Sequence, residues 1–325
     1  MPHSLEYIQK LINEEINRIP FDGFPPTLYA PIAYTMHQGG KRMRPALTLL
    51  ACEMFGGDIR KALYPAIGIE IFHNFTLVHD DIMDQAPLRR NRETVYKKWN
   101  TNLAILSGDT MFALAYDFLV KCEPELLPRI LPLFNRTAIE VCEGQQLDME
   151  FETRNNVSID EYIEMIRLKT AVLPATALKT GAILAHATES DADLIYTVGI
   201  NVGLAFQLID DVLDAYAEQD KFGKSIGNDI LTRKKTYLYL KAYELADDRQ
   251  RGELDACFTQ SDITPFEKIH RVKAVYDKLK VKDEAYRLVN DYYRKAFEAF
   301  NALNVDKEMR SELEMFIKNL ASRTF

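Results

Sequence analysis

Apolar residues along this chain recur at spacings of three and four, the period of a helix that buries one face. Leu5, Ile8, Leu11, Ile12, Ile16 and Ile19 make one such stripe, which predicts an amphipathic opening helix. The same spacing predicts helices over 42–55, 64–84, 103–120, 126–151, 158–185, 191–217, 232–246 and 280–301, and an amphipathic closing helix over 306–322. Several of these segments are apolar nearly all round, which puts them in the middle of a bundle. Convincing alternating strands are absent. Breaks fall where Gly, Pro and Asp cluster, at 21–26, 56–58, 121–128 and 153–158, and all are too short to be interdomain linkers. Pro174 lies inside a helical pattern and predicts a kink. The expectation is an all-α chain: a single domain over 1–325 built as one large helical bundle.

Composition narrows the functional classes. The 325 residues are 47% hydrophobic, enough for a sizeable core. The net charge of −8 argues against a general nucleic-acid binder, which needs a basic face for phosphates. It leaves room for an anionic substrate, because metal ions can reverse the local sign. Cys52, Cys122, Cys142 and Cys257 are widely spaced with no CxxC pair, so neither a zinc site nor a disulfide framework is expected. Reduced thiols and a cytoplasmic location follow as the default. The N-terminal segment lacks the basic-then-apolar order of a signal peptide. No run approaches the ~18 apolar residues of a membrane span.

Two acidic clusters carry the candidate chemistry. HDDIMD supplies Asp80, Asp81 and Asp84; DDVLD supplies Asp210, Asp211 and Asp214. Both have the form DDxxD and both end a long apolar helical segment. Positions i and i+4 are neighbours on a helix, so Asp80 and Asp84 share a face, as do Asp210 and Asp214. Like charges packed this way call for a counter-ion, and hard oxygen ligands in small number suit Mg²⁺ shared with substrate phosphates. One such cluster alone would read as a solvated helix end; two, each after an apolar helix, are hard to dismiss. Neither continues into a calcium-binding loop.

Basic residues lie at intervals around these clusters. GGKRMRP gives Lys41, Arg42 and Arg44; the run after the first cluster gives Arg89, Arg90 and Arg92; Lys169 precedes Thr170; and FGKSIGNDILTRKKT gives Lys224, Lys234 and Lys235. Taken singly, Arg42, Arg92 and Lys235 read as ordinary surface charge. As a set the two kinds of group make sense around a diphosphate. At an effective dielectric of ~20, each repulsion between unit charges ~5 Å apart costs ~3 kcal/mol, so aspartates alone would repel it. Bridging Mg²⁺ inverts that sign, and Arg and Lys hold the remaining phosphate oxygens.

In order and spacing, the motifs GGKRMRP, HDDIMD, the Arg89–Arg90 pair, LKT at 168–170, FQLIDDVLD at 206–214, GK at 223–224 and KKT at 234–236 closely resemble the trans-isoprenyl (polyprenyl) diphosphate synthase family. The resemblance implies the isoprenoid synthase type of helical bundle with a central active-site cavity. It implies Mg²⁺-dependent head-to-tail condensation of isopentenyl diphosphate with an allylic diphosphate (dimethylallyl, geranyl or farnesyl) in a homodimer. By the same resemblance, Asp80, Asp84 and Asp210 ligate a cluster of about three Mg²⁺ ions, with Asp81, Asp211 and Asp214 in support. Arg89, Lys169, Lys224 and Lys234 bind the allylic diphosphate. Lys41, Arg44, His73 and Arg90 bind isopentenyl diphosphate. Thr170 and Gln207 lie near the developing allylic cation, with Lys169 completing the catalytic set. The family often has glycine before its last lysine; here Arg233 stands there, leaving open whether Arg233 or Lys234 meets the phosphate.

Phe75 lies five residues before Asp80, about 7.5 Å deeper along a helix. An aromatic there acts, in the family, as the floor that limits the growing chain. Thr76 follows it rather than a second aromatic, Phe72 is one turn below, and Met111 or Phe112 could close the tunnel from a neighbouring helix. The expected product is a short-chain all-trans prenyl diphosphate, geranylgeranyl first and farnesyl second. The alternatives are a non-catalytic partner subunit of such a synthase, a terpene cyclase or a metal-dependent diphosphohydrolase.

Overall fold

The computed structural model of the protein describes residues 2–216, 227–259 and 263–322, and these are overwhelmingly helical. The elements are α1 (Leu5–Arg18), α2 (Pro26–Met36), α3 (Met43–Met54), α4 (Ile59–Met83), β1 (Leu88–Arg89), β2 (Arg92–Glu93), α5 (Val95–Lys98), α6 (Thr101–Leu119), α7 (Leu127–Thr153), α8 (Ile159–Ile166), a π-helical turn (Arg167–Ala171), α9 (Val172–Leu184) and α10 (Glu189–Tyr216). Helices Asn228–Leu231, Tyr237–Leu245, Asp248–Thr259, Pro265–Lys278, Val281–Asn301 and Ser311–Ala321 complete the described chain. The residues cluster into two compact units: Met1–Asn135 with Thr176–Tyr196 and Leu303–Ile317, and Arg136–Ala175 with Thr197–Ala302 and Lys318–Phe325.

In the first unit α4 is the core helix. It is capped by Asp58, whose carboxylate accepts from the Arg60 amide at 2.8 Å. Apolar side chains surround it on most sides, from Ile59 through Ile71 and Phe72 to Val78, as its all-round hydrophobicity requires. Gly108 lets α6 press against it: a Cβ there would stand 2.3 Å from His79 Nε2, too close for any side chain. The residue before the first acidic cluster is thus wedged against α6. Arg42 is not the surface charge its sequence context suggests. It takes a left-handed backbone at the start of α3 and is buried. Its guanidinium donates to Glu70 at 2.9 Å, to Asn13 at 3.3 Å and to the Met36 carbonyl. Desolvation of both charges makes such a pair costly to break from one side only.

In the second unit, Pro174 has its effect one turn upstream. Without an N–H it cannot bond the Thr170 carbonyl, and its ring crowds that oxygen. The chain widens to a π turn over Arg167–Ala171, and the Val172 amide reaches back five residues to the Arg167 carbonyl. Gly144 on α7 makes room for this turn, because a Cβ there would stand 2.3 Å from the Lys169 nitrogen. Lys235 also departs from the surface reading. It is buried, and its Nζ donates to the carbonyls of Phe151 and of Glu152 (3.3 Å) at the C-terminal end of α7. Helix α10 is long and apolar enough to cross a membrane by length and composition, but just over half of its apolar window is buried within the fold.

Candidate active site

The first acidic cluster occupies the last turn of α4, with Asp84 as its C-cap. Carboxylates there face the negative end of the helix dipole, which favours cations instead. Arg89 supplies one: its Nε donates to Asp81 at 2.7 Å and its Nη2 to Asp80 at 3.2 Å. Asp81 is buried, and burial pushes its carboxyl up to about 6 while Arg89 opposes the shift. Arg89 is delivered by a two-strand hairpin pairing Leu88 with Glu93 and Arg89 with Arg92. Its turn residues, Arg90 and Asn91, both have left-handed φ (52° and 61°), the signature of the type I′ turn that suits strand twist. The hairpin is tied down by Tyr34, whose hydroxyl donates to the Glu93 carbonyl at 2.9 Å, and by Thr94, which donates to the Ala86 carbonyl at 2.9 Å.

A second basic group gathers beside it. Arg90 is exposed and donates to the Gly39 carbonyl at 2.8 Å. Arg44 Nη1 lies 3.1 Å from His73 Nε2. Burial, then the charges of Arg44, Arg90 and Arg89, holds His73 well below its ordinary range, so its ring is neutral at pH 7. With Arg44 donating, Nε2 is the acceptor and Nδ1 carries the proton. Arg44 Nε is buried with no hydrogen-bond partner among the described residues. A buried cationic donor of this kind favours an anion. Lys41 is exposed at the same turn, its carbonyl accepting from Gln9.

Below Asp80 the helix meets a cluster of aromatic rings. Phe75 touches Phe72 (5.5 Å between centroids), Phe112 (5.3 Å) and His79 (4.8 Å). Phe72 is fully buried and packs on Phe112 and Phe134, and Tyr116 touches both of those. Thr76 turns its hydroxyl to the His73 carbonyl at 2.8 Å. Of the two α6 candidates, Phe112 faces Phe75, and Met111 is fully buried.

The second acidic cluster lies near the end of α10. Asp211 is buried and accepts from Tyr162, on α8, and from Gln207 Nε2 at 3.1 Å. Gln207 Oε1 in turn accepts from the Thr170 hydroxyl at 3.1 Å. Burial raises the Asp211 carboxyl to about 7; the Tyr162 hydrogen bond opposes this and the charge of Asp229 adds to it. Asp214 Oδ2 accepts from the Asp229 amide at 3.0 Å. Lys169 and Lys234 converge on the buried Asp148, at 2.5 and 3.4 Å. Burial alone would raise Asp148, but the two lysines hold its carboxyl below the ordinary range. Arg233 turns elsewhere: it stacks on Phe258 at 5.3 Å, from a backbone with φ 58°. That conformation favours glycine. Lys224 falls outside the described residues.

The structure thus gathers Arg89 with Asp80 and Asp81, Arg44 with His73, Thr170 with Gln207 and Asp211, and Lys169 with Lys234. Asp148, Tyr162 and Asp229 belong to these groups although no motif flagged them. The acid two residues after Gly144-Gln145-Gln146, inside a run with Glu143 and Glu150, was the available signal for Asp148. A cavity of the second unit, about 620 Å³, is bordered by Arg233 and Lys235 but by none of the six aspartates. Among the described residues no three acidic, His or Cys side chains converge on one point. The donor set is all hard carboxylate oxygen, which suits Mg²⁺ completing its shell with water and phosphate.

An all-α chain with two DDxxD helix ends, each beside basic side chains able to hold phosphate, defines a class of diphosphate-handling transferases. The model of the family described as polyprenyl synthetase matches residues 25–279. A geranylgeranyl diphosphate synthase of Methanosarcina mazei is 42% identical over 68% of this chain and 68% of its own. One from Sulfolobus acidocaldarius is 33% identical over 98% and 99%. A crystal structure of a geranylgeranyl pyrophosphate synthase superposes with a TM-score of 0.94, at 42% identity and 99% coverage of both chains. The chain belongs to the polyprenyl synthetase family and is a prenyltransferase with the all-α isoprenoid synthase fold.

Proposed function

We propose that the chain condenses isopentenyl diphosphate with an allylic diphosphate to make geranylgeranyl diphosphate, working as a cytoplasmic homodimer. The observation that carries this reading is the buried Arg44 Nε, without a partner among the described residues, beside a neutral His73 on the helix that ends in the first DDxxD. Lys41, Arg44, His73 and Arg90 hold isopentenyl diphosphate. Arg89, Lys169 and Lys234, with Lys224, hold the allylic diphosphate. Asp80, Asp84 and Asp210 hold a cluster of about three Mg²⁺ ions, which when bound neutralise diphosphate charge. Asp81 and Asp211 orient the clusters, their oxygens being engaged by Arg89, Tyr162 and Gln207. Asp214 supports the second cluster.

The allylic carbon–oxygen bond breaks, and its electron pair leaves with diphosphate, held by Arg and Lys. The resulting cation is attacked by the double bond of isopentenyl diphosphate, forming the new carbon–carbon bond. A proton is then lost to the released diphosphate. Thr170 and Gln207 present oxygens toward the cation, and apolar walls exclude the water that would quench it. Phe75, backed by Phe72 and Phe112, is the floor that ends growth, with Thr76 leaving it a single aromatic wide.

The test is one set of incubations with labelled isopentenyl diphosphate, three allylic primers and Mg²⁺, with the products separated by chromatography. Geranylgeranyl diphosphate is the expected product, chelator should abolish turnover, and Phe75→Ala should lengthen the product by at least one isoprene unit. Wild-type products well beyond geranylgeranyl, or full turnover in chelator, would refute the reading. Light scattering of the same preparation should give about twice the 37.4 kDa chain mass; a fully active monomer would refute the dimer.

A further inference from the structure

Tyr162 lies outside every motif, yet it is among the largest fully buried side chains of the protein. A buried phenol needs a partner for its hydroxyl. The one it has is the middle carboxylate of the second acidic cluster: Tyr162 donates to Asp211 Oδ2. The other oxygen, Oδ1, accepts from Gln207 Nε2 at 3.1 Å. With its amide nitrogen committed, Gln207 can only turn its carbonyl the other way, where it accepts from the Thr170 hydroxyl at 3.1 Å. Two hydrogens reach the Asp211 carboxyl, and the third runs from Thr170 to Gln207 in the same direction. Gln207 turns its nitrogen to Asp211 and its oxygen to Thr170, so in the last link the Thr170 hydroxyl is the donor. Thr170 is left with lone pairs alone facing away from the network.

We propose that Tyr162 is a positioning residue for the condensation, fixing the polarity of the Thr170–Gln207–Asp211 chain so that Thr170 presents an electron-rich oxygen to the allylic cation. The assignment rests on the proposed reaction. Without the phenol, Asp211 loses one of its two donors and can rotate. Gln207 is then free to flip, and Thr170 can turn its hydrogen outward, where it opposes positive charge. The effect falls on the cationic transition state and leaves the diphosphate anchors, Arg44 and Lys234, untouched.

A double-mutant cycle separates this from simple packing. Tyr162→Phe keeps the ring and removes the donor; it should lower kcat about tenfold or more, with KM for both diphosphates within about twofold. In a Thr170→Val background, where the terminal oxygen is gone, the same substitution should change kcat by less than about twofold. A fluorinated allylic substrate, which ionises less readily, should be slowed more in Tyr162→Phe than in wild type. Gln207→Glu replaces the donor facing Asp211 with an acceptor and should lower kcat in the same way, independently of any change at Tyr162. If the Tyr162 and Thr170 losses multiply, if the loss appears in KM, or if Gln207→Glu is fully active, the assignment is overturned. Absence of wild-type turnover with isopentenyl diphosphate would instead overturn the reaction itself.

Discussion

At the end of α4 the middle carboxylate, Asp81, is gripped by a cation, Arg89; near the end of α10 its counterpart, Asp211, is gripped by two neutral donors, Tyr162 and Gln207. Burial raises both, to about 6 and about 7, and only the first is opposed mainly by a full positive charge. The same five-residue motif therefore sits in two electrostatic settings. Around the first, arginine charge touches the motif directly. Around the second, Lys169 and Lys234 both meet a separate acid, Asp148, and the charge of Lys234 also reaches Asp211. Spacing sets which aspartates share a face; the neighbouring elements decide what each carboxylate is bonded to.

The comparison breaks most decisively at the outer aspartates. Asp80→Ala and Asp210→Ala should each lower kcat by on the order of 10³-fold, since each removes stabilisation of developing diphosphate charge. A wild-type rate in either variant would show that its cluster is not needed. A smaller effect should separate the basic groups by substrate. Arg44→Ala should raise KM for isopentenyl diphosphate by roughly ten- to a hundredfold, the worth of one charge-assisted hydrogen bond, and Lys234→Ala should do so for the allylic partner. Steady-state kinetics with each substrate varied would check this, and equal shifts of one substrate by both variants would erase the distinction. Least catalytic effect is expected at Arg42. Arg42→Met leaves Glu70 buried without its cation and should cost about 3–5 kcal/mol in denaturant unfolding, while kcat of the folded enzyme stays unchanged. A change in kcat without loss of stability would move Arg42 into the catalytic machinery.

The long helices were legible because their apolar spacing is sustained over many turns. Periodicity over 103–120 and 280–301 matches Thr101–Leu119 and Val281–Asn301 to within two residues. Helix α2 was not expected: Pro26, Pro31 and a nearly uniform apolar composition hide its period. Helices Asp248–Thr259 and Pro265–Lys278 were missed for the opposite reason, being mostly polar. The hairpin has two residues per strand, too few to alternate, and its turn lacks the usual Asn-Gly pair. At the site, the DDxxD motifs were conspicuous as charge. Tyr162 was invisible because nothing local marks a tyrosine whose hydroxyl is wanted by a residue 49 positions away. Arg42 and Lys235 were misjudged because a charged residue in a loop looks the same whether its partner is water or a buried acceptor.

The π turn at Arg167–Ala171 also has a consequence for how this stretch tolerates insertion and deletion. It holds one residue more than an α turn. Deleting one residue there would restore regular pitch and leave α9 in phase with α8, but it would remove the wide turn and set the Pro174 ring against the carbonyl four residues before it. Adding one more, which the turn cannot absorb, would rotate every later side chain of α9 about 100° relative to α8. Length variation between 158 and 175 should therefore be purged from functional libraries, whereas the turn at 154–157, which carries no helical phase, should accept it.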